Sequence, residues 1–371
     1  MTETPYSYSR IGLFVIPTCH EDMNKMSSYR LVSGCHLIAV AVSLWFAPGT
    51  WGQVRPELDS QIPIYTVQET VSGKFKIAGS DTMKPLIEAW VGDFTRRHPE
   101  LKITVAGAGS VTGLEALLAH QTQIAAMSRR MTAAEISEFV KEYGYEPMEV
   151  PVANDALAVF VHKDNPVPGL SLDELDAIFC RERRRGLSYN VDSWGLVGLT
   201  DEWFEAPIRL YGRNGKSGTS YLFREEVCKG GTFRPHLINS QGSASVILDL
   251  TKDPQGIGFS AIGYRTSMVR PVPIASVKGG RYVEPNFQTA MDGSYPLRRN
   301  LYLYIARPPK SSPTPFLSEL VRFALSQQGQ QLALDHGYFP LSLTEITRLT
   351  SKWSALVKAA KVEEPGRPVV E

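Results

Sequence analysis

Arg213-Asn214-Gly215-Lys216-Ser217-Gly218-Thr219-Ser220 lies between a strand-like run, Ile208 to Tyr211, and a helix-like run that opens at Tyr221. A helix starting there would point the free backbone N–H groups of its first turn, with the Ser217 and Thr219 hydroxyls, at whatever lies in front of it. Arg213 adds a fixed cationic fork. Such donors suit a small tetrahedral oxyanion, whose oxygens each accept several hydrogen bonds without a metal. Taken alone, the stretch reads first as an ordinary capped helix start, because Ser, Thr and Gly are common there for local reasons.

The same layout occurs twice upstream. Phe75 to Ala78 reads as a strand, Gly79-Ser80-Asp81-Thr82 as a turn, and Leu86, Ile87, Trp90, Val91 and Phe94 have the spacing of an amphipathic helix. Lys102 to Ala106 is the next strand, Gly107-Ala108-Gly109-Ser110-Val111-Thr112-Gly113 the next turn, and Leu114, Leu117 and Leu118 begin another helix. Three strand-to-helix turns therefore offer hydroxyls and N–H groups. In an open α/β sheet all such turns lie at the carboxyl ends of the strands, where ligands bind.

The remaining chemistry is sparse. A chain of 371 residues, 43% hydrophobic and 21% charged, is long enough for two domains with proper cores. Its net charge of +1 and the lack of a basic stripe with interleaved aromatics argue against nucleic acid as a partner. The seven histidines are scattered without ligand spacing, so no metal or other cofactor is expected. No nucleophile is paired with a base, and an enzyme is not expected.

Lys25 and Arg30 precede a run, Leu31 to Ala47, without any Asp, Glu, Lys or Arg, and Pro48-Gly49-Thr50 follows. That is the order of a cleaved secretory signal peptide, preceded by an N-terminal extension. The run is short for a spanning helix, which favours export over anchoring. Of four cysteines, Cys180 and Cys228 would remain in the mature protein, as one disulfide or as two buried thiols.

The run from Asn154 to Val161 is an apolar strand able to carry the chain from one lobe to a second, and Gly256 to Ser260 reads as a strand from which it could return. Ser171 and Glu174 form a capping-box pattern, and Ala133 to Tyr143 a helix. Two crossings imply two lobes and a hinge. The expected division is 1–52 for the extension and signal peptide, 53–73 for a leader, 74–155 with 266–341 for lobe 1, 156–265 for lobe 2, and 342–371 for a tail helix.

The order of Gly79-Ser80-Asp81-Thr82-Met83, Gly107-Ala108-Gly109-Ser110, Arg213 with Ser217-Gly218-Thr219, and Gly256-Ile257-Gly258-Phe259 resembles the substrate-binding protein of the phosphate ABC transporter. Tyr295-Pro296-Leu297, Leu301 to Tyr304 and Gly337-Tyr338-Phe339-Pro340 extend the likeness, which covers about Lys74 to Leu341. The resemblance implies an α/β, two-lobe periplasmic-binding-protein-like fold with the ligand cleft between the lobes. It implies a monomeric receptor, periplasmic or secreted, that captures inorganic phosphate and delivers it to a membrane permease.

Carried over by residue, Thr82 and the Met83 N–H, then Ser110, then Arg213, Ser217, Gly218 and Thr219 hold the anion. Where many members of that family place an aspartate that accepts the phosphate proton, Ser128 stands in Met127-Ser128-Arg129-Arg130. A carboxylate only accepts, whereas a serine also donates, so exclusion of sulfate then depends on Asp81 as a substitute acceptor. A receptor for sulfate or another tetrahedral oxyanion is the alternative, and a secreted phosphatase a more remote one. Arg129 and Lys216 each read as an anion-facing cation or as a solvated surface residue.

Overall fold

The computed structural model describes residues 57–309 and 311–363, and the expected extension and signal peptide lie outside them. No helix of the described residues is long and apolar enough to cross a membrane. The first half of the chain alternates β1 (Gly73–Gly79), α1 (Lys84–Arg97), β2 (Leu101–Gly107), α2 (Ser110–Leu118), β3 (Ile124–Met127) and α3 (Ala133–Tyr143). Then follow β4 (Met148–His162), β5 (Leu170–Ser171), α4 (Leu172–Phe179), β6 (Arg209–Arg213), α5 (Gly218–Glu226), β7 (Ile238–Ser240), α6 (Ser243–Leu250) and β8 (Gly256–Ala261). The chain closes with β9 (Val269–Pro271), β10 (Ile274–Ala275), α7 (Phe287–Met291), β11 (Arg298–Ile305), α8 (Pro315–Ala324), α9 (Gln327–Asp335) and α10 (Leu343–Glu363).

The strand order β2-β1-β3-β11-β4-β8-β6-β7 joins two half-sheets through β4. Residues Met148 to Ala156 of that strand pair with β11, and Leu157 to Val161 with β8. At about 3.3 Å per residue, fifteen residues are enough to serve two cores, and they do. Val150, Val152 and Ala153 pack with Leu86, Trp90 and Phe94 of α1, while Leu157, Val159 and Val161 pack with Phe179, Phe223 and Phe259. Two lobes with separate cores result, built alike. In each, three parallel strands place the first in the middle, β2-β1-β3 in one and β7-β6-β8 in the other.

The expected return to the first lobe after β8 does not occur there. β9 pairs with the second-lobe half of β4, and Val272, Ile274, Ala290, Tyr295 and Leu297 lie in the second core. The chain returns on β11, whose Arg298, Arg299 and Asn300 pair with Ala156, Asp155 and Asn154. A buried strand such as β8 advertises its burial in sequence, not which core covers the next segment. The tail forms α10, and Ile346, Leu349 and Trp353 join the first core, which is the packing role its spacing suggests. Cys180 and Cys228 form a disulfide that closes a loop of 48 positions in the second lobe.

Candidate functional site

The cleft is bounded by the starts of four helices, α1 and α2 from the first lobe and α5 and α6 from the second. α5 begins at Gly218, three residues before the expected Tyr221, because Ser217 caps it: its Oγ accepts from the Ser220 N–H at 3.2 Å. The capping reading of Ser217 is thus right as far as it goes, and its own proton is left to donate. α1, α2 and α6 start behind Met83, Gly109 and Gly242 with no side-chain cap. Their first-turn N–H groups have no carbonyl inside the helix to bond.

Across the cleft the lobes touch. Gly109, at φ 123°, takes a conformation that suits glycine, and a Cβ there would lie 2.4 Å from the Lys216 carbonyl oxygen. The Val111 N–H donates to that same carbonyl at 3.2 Å. Gly218 approaches so closely that a Cβ would meet Ser110 Oγ at 2.3 Å and Ser128 Oγ at 2.7 Å. Thr82 Oγ1 of the first lobe lies 2.9 Å from Thr219 Oγ1 of the second and 3.2 Å from Ser243 Oγ. Ser110 Oγ accepts from the Ser128 N–H at 3.1 Å and sits 3.3 Å from Ser128 Oγ. Thr82, Ser110, Ser128 and Thr219 are all fully buried.

Arg213 is buried against Asp81. Its Nη2 donates to Asp81 Oδ1 at 2.8 Å, its Nη1 reaches Asp81 Oδ2 at 2.7 Å and donates to Ser243 Oγ at 2.8 Å, and its Nε–H has no protein partner. The Ser243 N–H and Oγ each donate to Asp81 Oδ2 at 3.0 Å. Burial raises the Asp81 carboxyl pKa, but the Arg213 bonds and charge with the two Ser243 bonds outweigh it and hold the group below the ordinary aspartate value. Asp81 stays ionised, with three of these contacts on Oδ2 and one on Oδ1.

Three other expected residues also resolve. The Met83 N–H donates to the Ser80 carbonyl at 3.2 Å and is not left open to the cleft. Arg129 donates through both terminal nitrogens to Glu135 at 2.6 Å and lies with its guanidinium 4.5 Å from the Tyr221 ring, so it braces the cleft wall instead of facing an anion. Lys216 pairs with Glu115 of the first lobe at 2.9 Å, at the exposed rim.

Sequence reading missed three contributors. Ser243 heads α6 and joins Arg213 to Asp81. Arg299 on β11 donates through Nε and Nη2 to Asp155 Oδ2 at 2.8 and 2.6 Å, and through Nη1 to Thr219 Oγ1 at 2.8 Å. Asp155, fully buried in β4, has its pKa raised by burial against the opposing pull of Arg299. Two arginines and two aspartates therefore cancel around a set of hydroxyls and helix starts. That environment solvates a small anion by dipoles, with no surplus charge.

Comparison with known proteins fits this arrangement. Residues 66–328 match the PBP superfamily domain. The chain is 41% identical over 284 residues to the phosphate-binding protein PstS of Pseudomonas aeruginosa, covering 76% of this chain and 88% of that one. It is 27% identical over 295 residues to the protein SphX of Synechococcus elongatus, covering 78% and 85%. Among solved structures, a Planctomyces limnophilus protein described as a possible phosphate binding protein superposes with TM-score 0.56 at 26% identity, over 78% of this chain and all of that one. A Clostridium perfringens structure with bound phosphate gives TM-score 0.62 over 73% of this chain and 100% of its own. At 23% identity that likeness speaks for the fold alone. A domain match of this length beside a relative at 41% identity means that the chain belongs to the PBP superfamily.

Proposed function

We propose that the chain is an exported, monomeric receptor that captures inorganic phosphate between its lobes, leaves it chemically unchanged and presents the closed form to the permease of an ABC transporter. The observation that carries this reading is the convergence of buried Thr82, Ser110 and Ser128 from one lobe with Thr219 and Gly218 from the other, beside Arg213. Each lobe supplies part of the seat, so an anion that bonds both favours the closed state by its contacts to the two at once. The name of the Pseudomonas aeruginosa relative supports phosphate as that anion. Thr82, Ser110, Ser128, Arg213, Ser217, Gly218 and Thr219 are the proposed ligands, with Asp81 the counter-ion of Arg213.

Sulfate is the second reading, and Ser128 is what favours it. Its hydroxyl, 3.3 Å from Ser110 Oγ, donates as readily as it accepts, where a carboxylate would only accept. Calorimetric titration of protein stripped of anion, with phosphate and then sulfate from mildly acidic to mildly alkaline pH, decides between them. Tight phosphate binding without a sulfate response is the expected result. Comparable binding of both makes Ser128 the cause of relaxed selectivity, and binding of neither defeats the oxyanion reading.

A further inference from the structure

Arg299 stands outside the three turns, yet it reaches the seat from the strand by which the chain returns between lobes. On β11 it pairs in register with Asp155 of β4, at the point where β4 leaves the first sheet for the second. Asp155 takes two of its N–H groups, and Thr219 Oγ1 takes a third. All three residues are buried, Arg299 at 7% exposure and the other two at 0%.

A guanidinium gives protons and never accepts one. Thr219 Oγ1 therefore receives from Arg299, and its own proton must point elsewhere, with Thr82 Oγ1 at 2.9 Å the neighbour. Thr82 in turn faces Ser243 Oγ at 3.2 Å, and Ser243 directs its proton to Asp81 Oδ2 at 3.0 Å. The hydroxyls thus run in one sense across the cleft, from the Arg299 end to the Asp81 end. Both ends are fixed by groups that stay charged.

We propose that Arg299, held by Asp155, is a positioning residue that occupies a lone pair of the Thr219 hydroxyl, so that this hydroxyl meets the anion as a donor, exchanging its bond to Thr82 for one to an anion oxygen; this rests on the oxyanion reading above. A threonine without that donor behind it would present a lone pair to the ligand in part of its orientations. An anion is repelled by a lone pair, so the rigid donor sense favours binding before the ligand arrives. Arg299 also ties that sense to the hinge, because its anchor Asp155 is a hinge-strand residue.

The test is a double-mutant cycle read by phosphate titration, carried to millimolar phosphate for weak variants, with thermal unfolding of the anion-free proteins alongside. Arg299→Gln weakens phosphate binding roughly tenfold to a hundredfold, as expected for one charge-assisted hydrogen bond lost behind a ligand. In a Thr219→Val background the same change costs less than about threefold, because the hydroxyl it orients is gone. A Thr219→Ser background keeps the hydroxyl and keeps the sensitivity. Arg299→Lys, which retains one cationic donor, recovers part of the loss and takes over the cycle if Arg299→Gln does not fold. An equal cost in Thr219→Val and in the wild type, or a drop in melting temperature with affinity unchanged, overturns the proposal and leaves Arg299 a hinge ion pair. Wild-type protein that binds no phosphate at all instead defeats the receptor reading on which the cycle rests.

Discussion

The helix starts that face the cleft and those that face away are built by opposite rules. α3 and α4 begin with full capping boxes, Thr132 with Glu135 and Ser171 with Glu174, in which side chains close both ends of the exchange. α1, α2 and α6 begin behind Met83, Gly109 and Gly242 with no side-chain cap. A good N-cap contributes about 1 kcal/mol, so three cleft-facing helices go without a stabilisation that their neighbours have. α5 lies between the two kinds, since Ser217 caps it and still has a proton to give. The difference teaches that a helix start without an N-cap side chain is informative when capped ones stand in the same chain. Here such starts cluster where the lobes meet, and the Val111 and Ser243 N–H groups bond to the Lys216 carbonyl and to Asp81 instead.

Three substitutions probe that division, and the largest effect belongs to the cleft. Arg213→Ala leaves Asp81 a buried carboxylate without its cation. We expect phosphate affinity to fall by about a thousandfold, with a loss of some 3 to 5 kcal/mol in stability, measured by titration and by urea unfolding. Affinity within a few-fold of wild type would mean that this side of the cleft does not hold the anion. Gly218→Ala comes next. Its Cβ clashes with Ser110 and Ser128 only when the lobes are together, so affinity falls by roughly ten- to a hundredfold while anion-free stability holds or rises slightly. An equal loss in the melting temperature of the anion-free protein would show that the contact persists without ligand. The smallest effect is expected away from the cleft. Ser171→Ala removes the α4 cap and lowers stability by about 1 kcal/mol with unchanged phosphate affinity, and an affinity change there would blur the comparison between the two kinds of helix start.

How far this was legible in sequence depended on whether a feature is local. The α3 helix and the Ser171 box are set by periodicity and nearby side chains and lie where their residues indicate, and the three strand-turn-helix units are present, though α2 starts at Ser110 where Leu114 was expected. The crossing was read from the apolar run Asn154 to Val161 alone, whereas β4 begins at Met148. The return was not legible. Residues 269–297 are short strands and loops whose burial depends on the second core, which no local pattern identifies. The start of α5 was placed late because Gly218, Thr219 and Ser220 are poor helix formers, and the Ser217 cap overrides that preference.

At the site, the hydroxyls were legible as types and their engagements were not. Asp81 and Met83 were read as open to the ligand, but their partners, Arg213 with Ser243 and the Ser80 carbonyl, are settled by folding. Arg299 carried a signal that went unread. It alternates with exposed Arg298 and shares the inward face of β11 with Leu301 and Leu303, and an arginine on such a face needs a buried partner. Asp155, the lone acid ahead of the run Ala156 to Val161, was the matching half of that signal.

The cancellation of Arg213 by Asp81 and of Arg299 by Asp155 has a consequence for where such a protein can work. Mobile ions in the medium screen charge over about 8 Å at 0.15 M ionic strength, and they act most strongly on binding driven by a surplus of exposed charge. A seat whose ion pairs are buried and balanced gives that atmosphere little to act on. Capture is then set by short-range geometry, and brine and dilute water load the receptor nearly alike.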